Sequence, residues 1–192
     1  IDTYNLRIFA KEDVSSDFLN NVGKAYEEMF ADNPMIDQDM RSKYLSTSKN
    51  KYVYQRVGVE ASFEKNENYA YGFPPAPYQD NVTDYIWEMK QGGKSQIGEV
   101  IEHLLHTITN VILYLAYIED WDYMNSTSAL SLATQEAIDQ GIYDISSYEE
   151  IKKEDMEMYY KIITQEYAYC CLLYTSPSPR DATLSGMAAC SC

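Results

Sequence analysis

The sequence predicts an α+β fold, because strand-like segments stand early in the chain and helical segments follow. Two early segments, 4–10 and 52–60, alternate polar residues with β-branched or aromatic ones, and we expect both to be strands. Three later segments, 96–118, 129–140 and 154–169, repeat their apolar residues at helical spacing. We therefore expect short N-terminal strands followed by a mainly helical half.

Two further helices are expected between the first two strands. Asp13, or Ser15 with Ser16, can cap a helix over 16–31, and a weaker helix is expected over 37–48. Both helices would precede the second strand, which gives the order of strand, helices and strand in the first third of the chain.

The segment between the second strand and the long helix is rich in turn residues. Gly58 suggests a bulge in the strand over 52–60. Three prolines predict a long loop over 61–82, and a short strand or helical turn follows over 85–89. Two glycines at 92 and 93 then form a tight turn, after which Ser95 can cap the long helix.

The long helix over 96–118 contains both histidines of the chain. One side of it carries an apolar stripe, which consists of Ile97, Val100, Ile101, Leu104, Leu105, Ile108, Ile112 and Leu115. The opposite side carries polar residues within an arc of roughly 100°, namely Glu99, Glu102, His103, His106 and Asn110. Imidazoles and carboxylates one turn apart can bind a divalent cation, although the same pairs also occur as ordinary surface pairs on helices.

A known motif resembles this helix. The segment GEVIEHLLHT at 98–107 looks like the active-site helix of the zincin metallopeptidases, whose motif is His-Glu-x-x-His. The layout is most similar to the branch that takes its third ligand from a glutamate on a later helix, such as anthrax lethal factor and the Mlc titration factor peptidases. Glu166 lies on such a helix here. The resemblance implies a zincin-like fold, a zinc ion and hydrolysis of peptide bonds.

The two motifs differ in the order of two residues, because this chain has Glu102 before His103. Aligned with the motif, Glu102, His106 and Glu166 take the places of the metal ligands, and His103 that of the general base. In a second arrangement, His103 and His106 bind the metal and Glu99 or Glu102 is the base. In a third, the site is degenerate and the helix is only scaffold.

Two functions of different classes are therefore expected. The first is a metal-dependent hydrolase of zincin type that acts on a peptide or protein substrate. The second is a catalytically inactive zincin-like structural or interaction protein, for instance a component of a phage particle. Nineteen tyrosines favour contact surfaces, and the segment 99–169 is similar to uncharacterised marine phage or bacterial proteins.

Charge and hydropathy exclude other partners. The formal charge is −15, from 30 acidic and 15 basic residues. Nucleic acid and anionic membrane surfaces are disfavoured, because both are bound by clustered Lys and Arg. The sequence also has no run of 18 apolar residues, so no membrane span is predicted.

The C-terminal segment differs from the rest of the chain. Residues 171–181, CLLYTSPSPRD, look like the conceptual translation of a transposon-type sequencing adapter, and 182–192 resemble its continuation. A natural Ser/Pro-rich disordered tail is the alternative. In both cases we expect a single folded domain over 1–170, with 171–192 disordered. Because Ile1 stands first, we also expect the native chain to begin upstream.

Overall fold

The computed structural model describes residues 1–29, 37–71, 74 and 84–175, with side chains described as far as Leu172. The predicted α+β class is confirmed, since one small sheet is combined with mostly helical structure. The contacts group into two compact units, Ile1–Ala116 and Tyr117–Cys192, each with its own hydrophobic cluster. Two compact units can still unfold together as one cooperative domain. The single domain expected over 1–170 therefore stays a prediction.

The sheet lies in the first unit and has four strands in the order β1-β2-β3-β4. β1 (Asp2–Thr3) and β2 (Leu6–Ala10) are antiparallel, whereas β2, β3 (Tyr54–Val59) and β4 (Tyr85–Glu88) are parallel to one another. The predicted strands over 4–10 and 52–60 are therefore confirmed with slightly shorter bounds, and the segment over 85–89, expected as a strand or a helical turn, contains a strand. A parallel sheet requires crossover connections, which the helices between its strands provide.

β1 and its hairpin were not predicted. Thr3 pairs with Leu6, so Tyr4 and Asn5 form a two-residue turn, and both have positive φ angles of 43° and 64°. Such angles are typical of a type I′ hairpin turn. Tyrosine is unusual at this position, which explains why the local sequence did not indicate a turn.

The helices of the first unit follow the predicted order. They are α1 (Ser16–Met29), α2 (Gln38–Asn50), α3 (Glu60–Lys65), a 3₁₀ turn (Glu67–Ala70) and α4 (Gly93–His106), which continues as a π-helical stretch (Thr107–Leu113) and α5 (Tyr114–Ala116). Ser15 caps α1 by accepting a hydrogen bond from the Phe18 amide, as expected, and Asp37 caps α2. Ser95 does not cap α4, whose N-cap is Gly92.

The predicted loop over 61–82 is partly helical. α3 and the 3₁₀ turn occupy nearly half of it, up to Ala70, so the loop prediction is wrong there. Asn66 ends α3 and its side chain caps the 3₁₀ turn by accepting a hydrogen bond from the Asn68 amide. The remainder of the segment, except Tyr71 and Pro74, lies outside the described residues.

The core of the first unit lies between the sheet and its helices. The buried residues that form it are Leu6, Ile8, Val22, Tyr26, Tyr44, Val53, Val57, Ile86, Val100, Leu104, Ile108, Val111 and Ile112. Ile86 of β4, Val57 of β3 and Leu104 of α4 are fully buried within this cluster. The buried face of α4 is thus held against the strands that carry the candidate site.

Alternate residues of β3 and β4 carry an aromatic stack. The Arg56 guanidinium lies 4.3 Å from the ring centre of Tyr85, Tyr85 stacks on Trp87 at 4.6 Å, and Trp87 stacks on Phe63 at 4.8 Å. Gly58 pairs in register with Trp87, so the expected bulge is absent there. A Cβ atom at Gly58 would lie 2.7 Å from the Trp87 ring.

Replacing Gly58 with alanine should therefore lower the free energy of unfolding by about 1–3 kcal/mol, because the ring or the strand must move. Urea unfolding followed by circular dichroism measures the effect. Gly98→Ala is the matched control, since nothing lies within 4 Å of its Cβ position and alanine favours the helix. Equal stability of Gly58→Ala and the parent would contradict the close packing of Trp87.

The second unit is helical in its described part. It contains α6 (Ile118–Trp121), α7 (Ala129–Asp139), a 3₁₀ turn (Ser146–Tyr148), α8 (Glu149–Glu154) and α9 (Met156–Thr175). The two predicted helices over 129–140 and 154–169 are confirmed, and Ser128 caps α7. α9 continues beyond residue 170 to Thr175, and 176–192 lie outside the described residues. No described helix has both the length and the apolar composition needed to cross a bilayer.

Candidate metal centre

The polar side of α4 is largely covered by protein. His106 is only 2% exposed, and Glu99, Glu102 and His103 are half-buried. In contrast, Ile97 is 60% exposed, so its predicted place in the buried stripe is wrong, whereas the buried positions of Val100, Leu104, Ile108 and Ile112 are confirmed. The imidazoles therefore lie in a partly desolvated environment.

Two histidines of α4 converge with a carboxylate from β4's N-terminal end. The Asp84 Oδ2 atom lies 4.0 Å from His103 Nδ1 and 3.9 Å from His106 Nδ1. Ligand atoms of the three residues all lie within 4.8 Å of one another, and the two imidazole rings are nearly perpendicular. Two imidazoles and one carboxylate are a common zinc-binding set. These groups could hold a metal ion after a small contraction, since tetrahedral zinc ligands are roughly 3.4 Å apart.

Asp84 was not identified from the sequence. It directly precedes β4, and only four residues separate β4 from α4, so the helix runs back along the strand. Because α4 runs antiparallel to β4, Asp84 at the start of β4 lies beside the last turn of α4. The short connection between the predicted elements was the available signal.

Glu99 fixes the orientation of His103. Its Oε1 atom accepts a hydrogen bond of 3.0 Å from the Trp87 amide and lies 3.3 Å from His103 Nε2. Burial disfavours the charged carboxylate, but the hydrogen bonds from His103 and Trp87 outweigh it, so the pKa of Glu99 is lowered. With Nε2 engaged in this way, Nδ1 of His103 faces Asp84, and in the described structure this buried nitrogen forms no hydrogen bond. A carboxylate that orients a histidine is typical of metal sites, and the unused nitrogen fits a ligand role.

The two imidazoles differ in protonation. Burial lowers the pKa of His106 to about 4, and the charge of His103 acts in the same direction. Burial also opposes the charged form of His103, but the hydrogen bond to Glu99 and the nearby carboxylates outweigh it and raise the pKa of His103. His106 is therefore neutral near pH 7, which is the form that binds metals.

Glu102 and Glu166 are the other two predicted ligands. Glu102 is half-buried on α4, and burial raises its pKa although the charge of His103 partly opposes this effect. Glu166 lies on α9 in the second unit and is also partly buried. The first predicted arrangement, with Glu102, His106 and Glu166 as ligands, stays a prediction.

Gln96 and Glu99 together occupy the outer edge of β4. The Met89 amide donates to Gln96 Oε1 at 2.6 Å, and Gln96 Nε2 donates to the Trp87 carbonyl at 2.8 Å. The Trp87 amide donates to Glu99. These side-chain contacts fix the register of α4 against β4 and hence the distance from Asp84 to the histidines.

Comparison with known proteins gave no match among family models, curated proteins or solved structures.

Proposed function

We propose that the protein is a metal-dependent hydrolase that holds zinc at Asp84, His103 and His106. The observation that carries this proposal is the convergence of one carboxylate oxygen and two imidazole nitrogens at about 4 Å. His103 supports it further, because its Nδ1 atom is buried without a hydrogen bond while Glu99 holds Nε2. A zinc ion held there would supply a water of lowered pKa and a Lewis acid for a carbonyl group.

The neighbouring carboxylates have different roles in this proposal. Glu99 is a positioning residue, because its lowered pKa keeps it ionised and its oxygen is engaged by His103 and the Trp87 amide. Glu102 is the proton acceptor, because its raised pKa makes it a stronger base than an exposed glutamate. A peptide bond is the expected substrate because of the similarity to zincins, and the charge of −15 favours neutral or basic peptides.

A zincin-like fold is part of the proposal. It is supported by the order of strand, helices and strand before α4 and by the packing of α4 along β4. The reversed order of Glu102 and His103 shifts the ligand set from Glu102 and His106 to His103 and His106. Asp84, from the strand side, then completes the set in place of Glu166.

Metal content tests the site. The full chain is purified, exposed to zinc, dialysed and analysed by plasma mass spectrometry, beside Asp84→Ala, His103→Ala and His106→Ala. We expect about one zinc per chain in the parent and a large loss in all three variants, because each removes a ligand. Asp120→Ala is the control, since Asp120 is an exposed acidic residue in the second unit.

Glu166→Ala distinguishes the two arrangements, after circular dichroism has established that all variants fold. Retention of zinc in Glu166→Ala together with its loss in Asp84→Ala supports the assignment. The reverse result overturns it in favour of the arrangement with Glu102, His106 and Glu166. No metal in the folded parent refutes the hydrolase proposal and favours the structural or interaction protein.

A further inference from the structure

Gln55 is a polar residue in the middle of the sheet. It lies on β3, between two parallel neighbours, and is fully buried. Interior positions of parallel strands are usually apolar, as Val57 on the same strand is, and Val53 directly before the strand is also a buried valine. Burying an amide is unfavourable unless its hydrogen bonds are made, so this position requires a reason.

The hydrogen bonds of Gln55 reach both sides of the candidate metal centre. Its Nε2 group donates to the Asp84 carbonyl at 2.8 Å and to the Arg56 carbonyl at 3.0 Å. Its Oε1 atom accepts a hydrogen bond of 2.5 Å from Thr107 Oγ1, and Thr107 is fully buried. Asp84 carries the carboxylate of the site, and Thr107 directly follows His106. One amide thus connects the backbone of one ligand to the neighbour of another.

Thr107 also stands at a change of helix geometry. α4 ends at His106, and the π-helical stretch begins at Thr107. π-helical turns inside α-helices are rare and are frequent at functional sites. The Thr107 hydroxyl is thus held by Gln55 at the point where α4 ends, one residue after His106.

We propose that Gln55 is a positioning residue that sets the spacing between Asp84 and His106. This inference rests on the proposed metal site. In it, Gln55 contacts neither the metal nor the substrate. Without its hydrogen bonds, Asp84 and Thr107 would no longer be tied to the same strand, and the three ligand atoms would converge less well.

Two measurements on metal binding test the proposal. Zinc affinity is obtained by competition with a chromophoric chelator, and the visible spectrum of the cobalt(II)-substituted protein reports the ligand geometry. Gln55→Met keeps the length of the side chain without its hydrogen bonds, and Thr107→Val removes only the hydroxyl. We expect zinc affinity to fall about 10- to 100-fold in each, as for other residues that orient metal ligands, with a shifted cobalt spectrum.

Two further variants separate positioning from general stability. Thr107→Ser keeps the hydroxyl and should bind zinc like the parent. Thr134→Val changes an equally buried threonine of the second unit, whose hydroxyl donates to the Leu130 carbonyl, and should leave zinc affinity unchanged. If Gln55→Met does not fold, the Thr107→Val and Thr107→Ser pair decides.

The outcomes are distinct. Unchanged zinc affinity and cobalt spectrum in folded Gln55→Met and Thr107→Val would overturn the positioning role while leaving the metal site in place. A parent that binds no zinc would overturn both proposals, and this is known before any variant is measured. The double variant Gln55→Met/Thr107→Val tests whether the two residues act together. If its zinc affinity is no lower than that of either single variant, the two residues act through one shared hydrogen bond.

Discussion

Replacing Glu102 with glutamine is expected to slow peptide hydrolysis by about a hundred- to ten-thousand-fold while the zinc content stays at the parent value. Glutamine has nearly the same shape, but its amide cannot take up a proton. Glu102 is half-buried and its pKa is raised by burial, so its carboxylate is suited to accept a proton from the attacking water. The measurement is kcat on an unstructured peptide mixture, with products identified by mass spectrometry.

The metal content of the same variant decides between two roles. A proton acceptor can be replaced without loss of metal, whereas a ligand cannot. Glu99→Gln is the comparison, because it weakens the contact with His103 and should reduce zinc affinity as well as rate. Loss of zinc from Glu102→Gln would contradict the proton-acceptor role and indicate that Glu102 is a ligand. Unchanged kcat with zinc retained would remove it from the mechanism.

The metal-free protein is expected to lose stability as the pH falls from 6.5 towards 4. His106 has a pKa of about 4 in the folded state and an ordinary value of 6.5 when unfolded, so the unfolded chain binds more protons in this window. The stabilising contribution is complete above pH 6.5 and is lost at acid pH. It amounts to about 3 kcal/mol, since each pKa unit corresponds to about 1.4 kcal/mol.

A variant isolates the contribution of His106 from the titration of its neighbours Asp84, Glu99, Glu102 and His103. Urea unfolding in the presence of a chelator is measured from pH 4 to 8 for the parent and His106→Leu. The parent should lose about 3 kcal/mol relative to the variant across the window. Parallel curves would show that His106 titrates normally. For His103 the sign is opposite, because its pKa is raised in the folded state. The stability of the parent relative to His103→Leu should therefore fall as the pH rises above 6.5.

Local signals in the sequence accounted for much of the fold. Alternation identified β2 and β3, and the cap at Ser15 was recognisable, because each depends on neighbours within a few residues. The same local signals left β4 as either a strand or a helical turn. α3 was not predicted, because the asparagines and prolines that follow it in the sequence indicate a loop. The hairpin at Tyr4 and Asn5 was missed because its turn residues are atypical.

The site was harder to predict than the fold, because it depends on contacts between distant segments. Periodicity placed His103 and His106 on the polar side of α4, but it did not indicate how far that side is covered by protein, and it placed Ile97 in the buried stripe. Ile97 lies in the first turns of α4 and is exposed, whereas His106 lies opposite Asp84. The π-helical stretch after His106 further changes the rotation per residue, so a constant 3.6-residue period does not describe the helix beyond it.

The hydrogen bonds that Gln96 and Glu99 make to β4 have a consequence for solubility. An exposed strand edge with unpaired amides can pair with another chain and begin aggregation. Here the amides of Trp87 and Met89 and the carbonyl of Trp87 already have side-chain partners. The opposite edge of the sheet is β1, which has two residues and offers little length for pairing. The residues that align the candidate metal centre would therefore also protect the sheet against association through its edges.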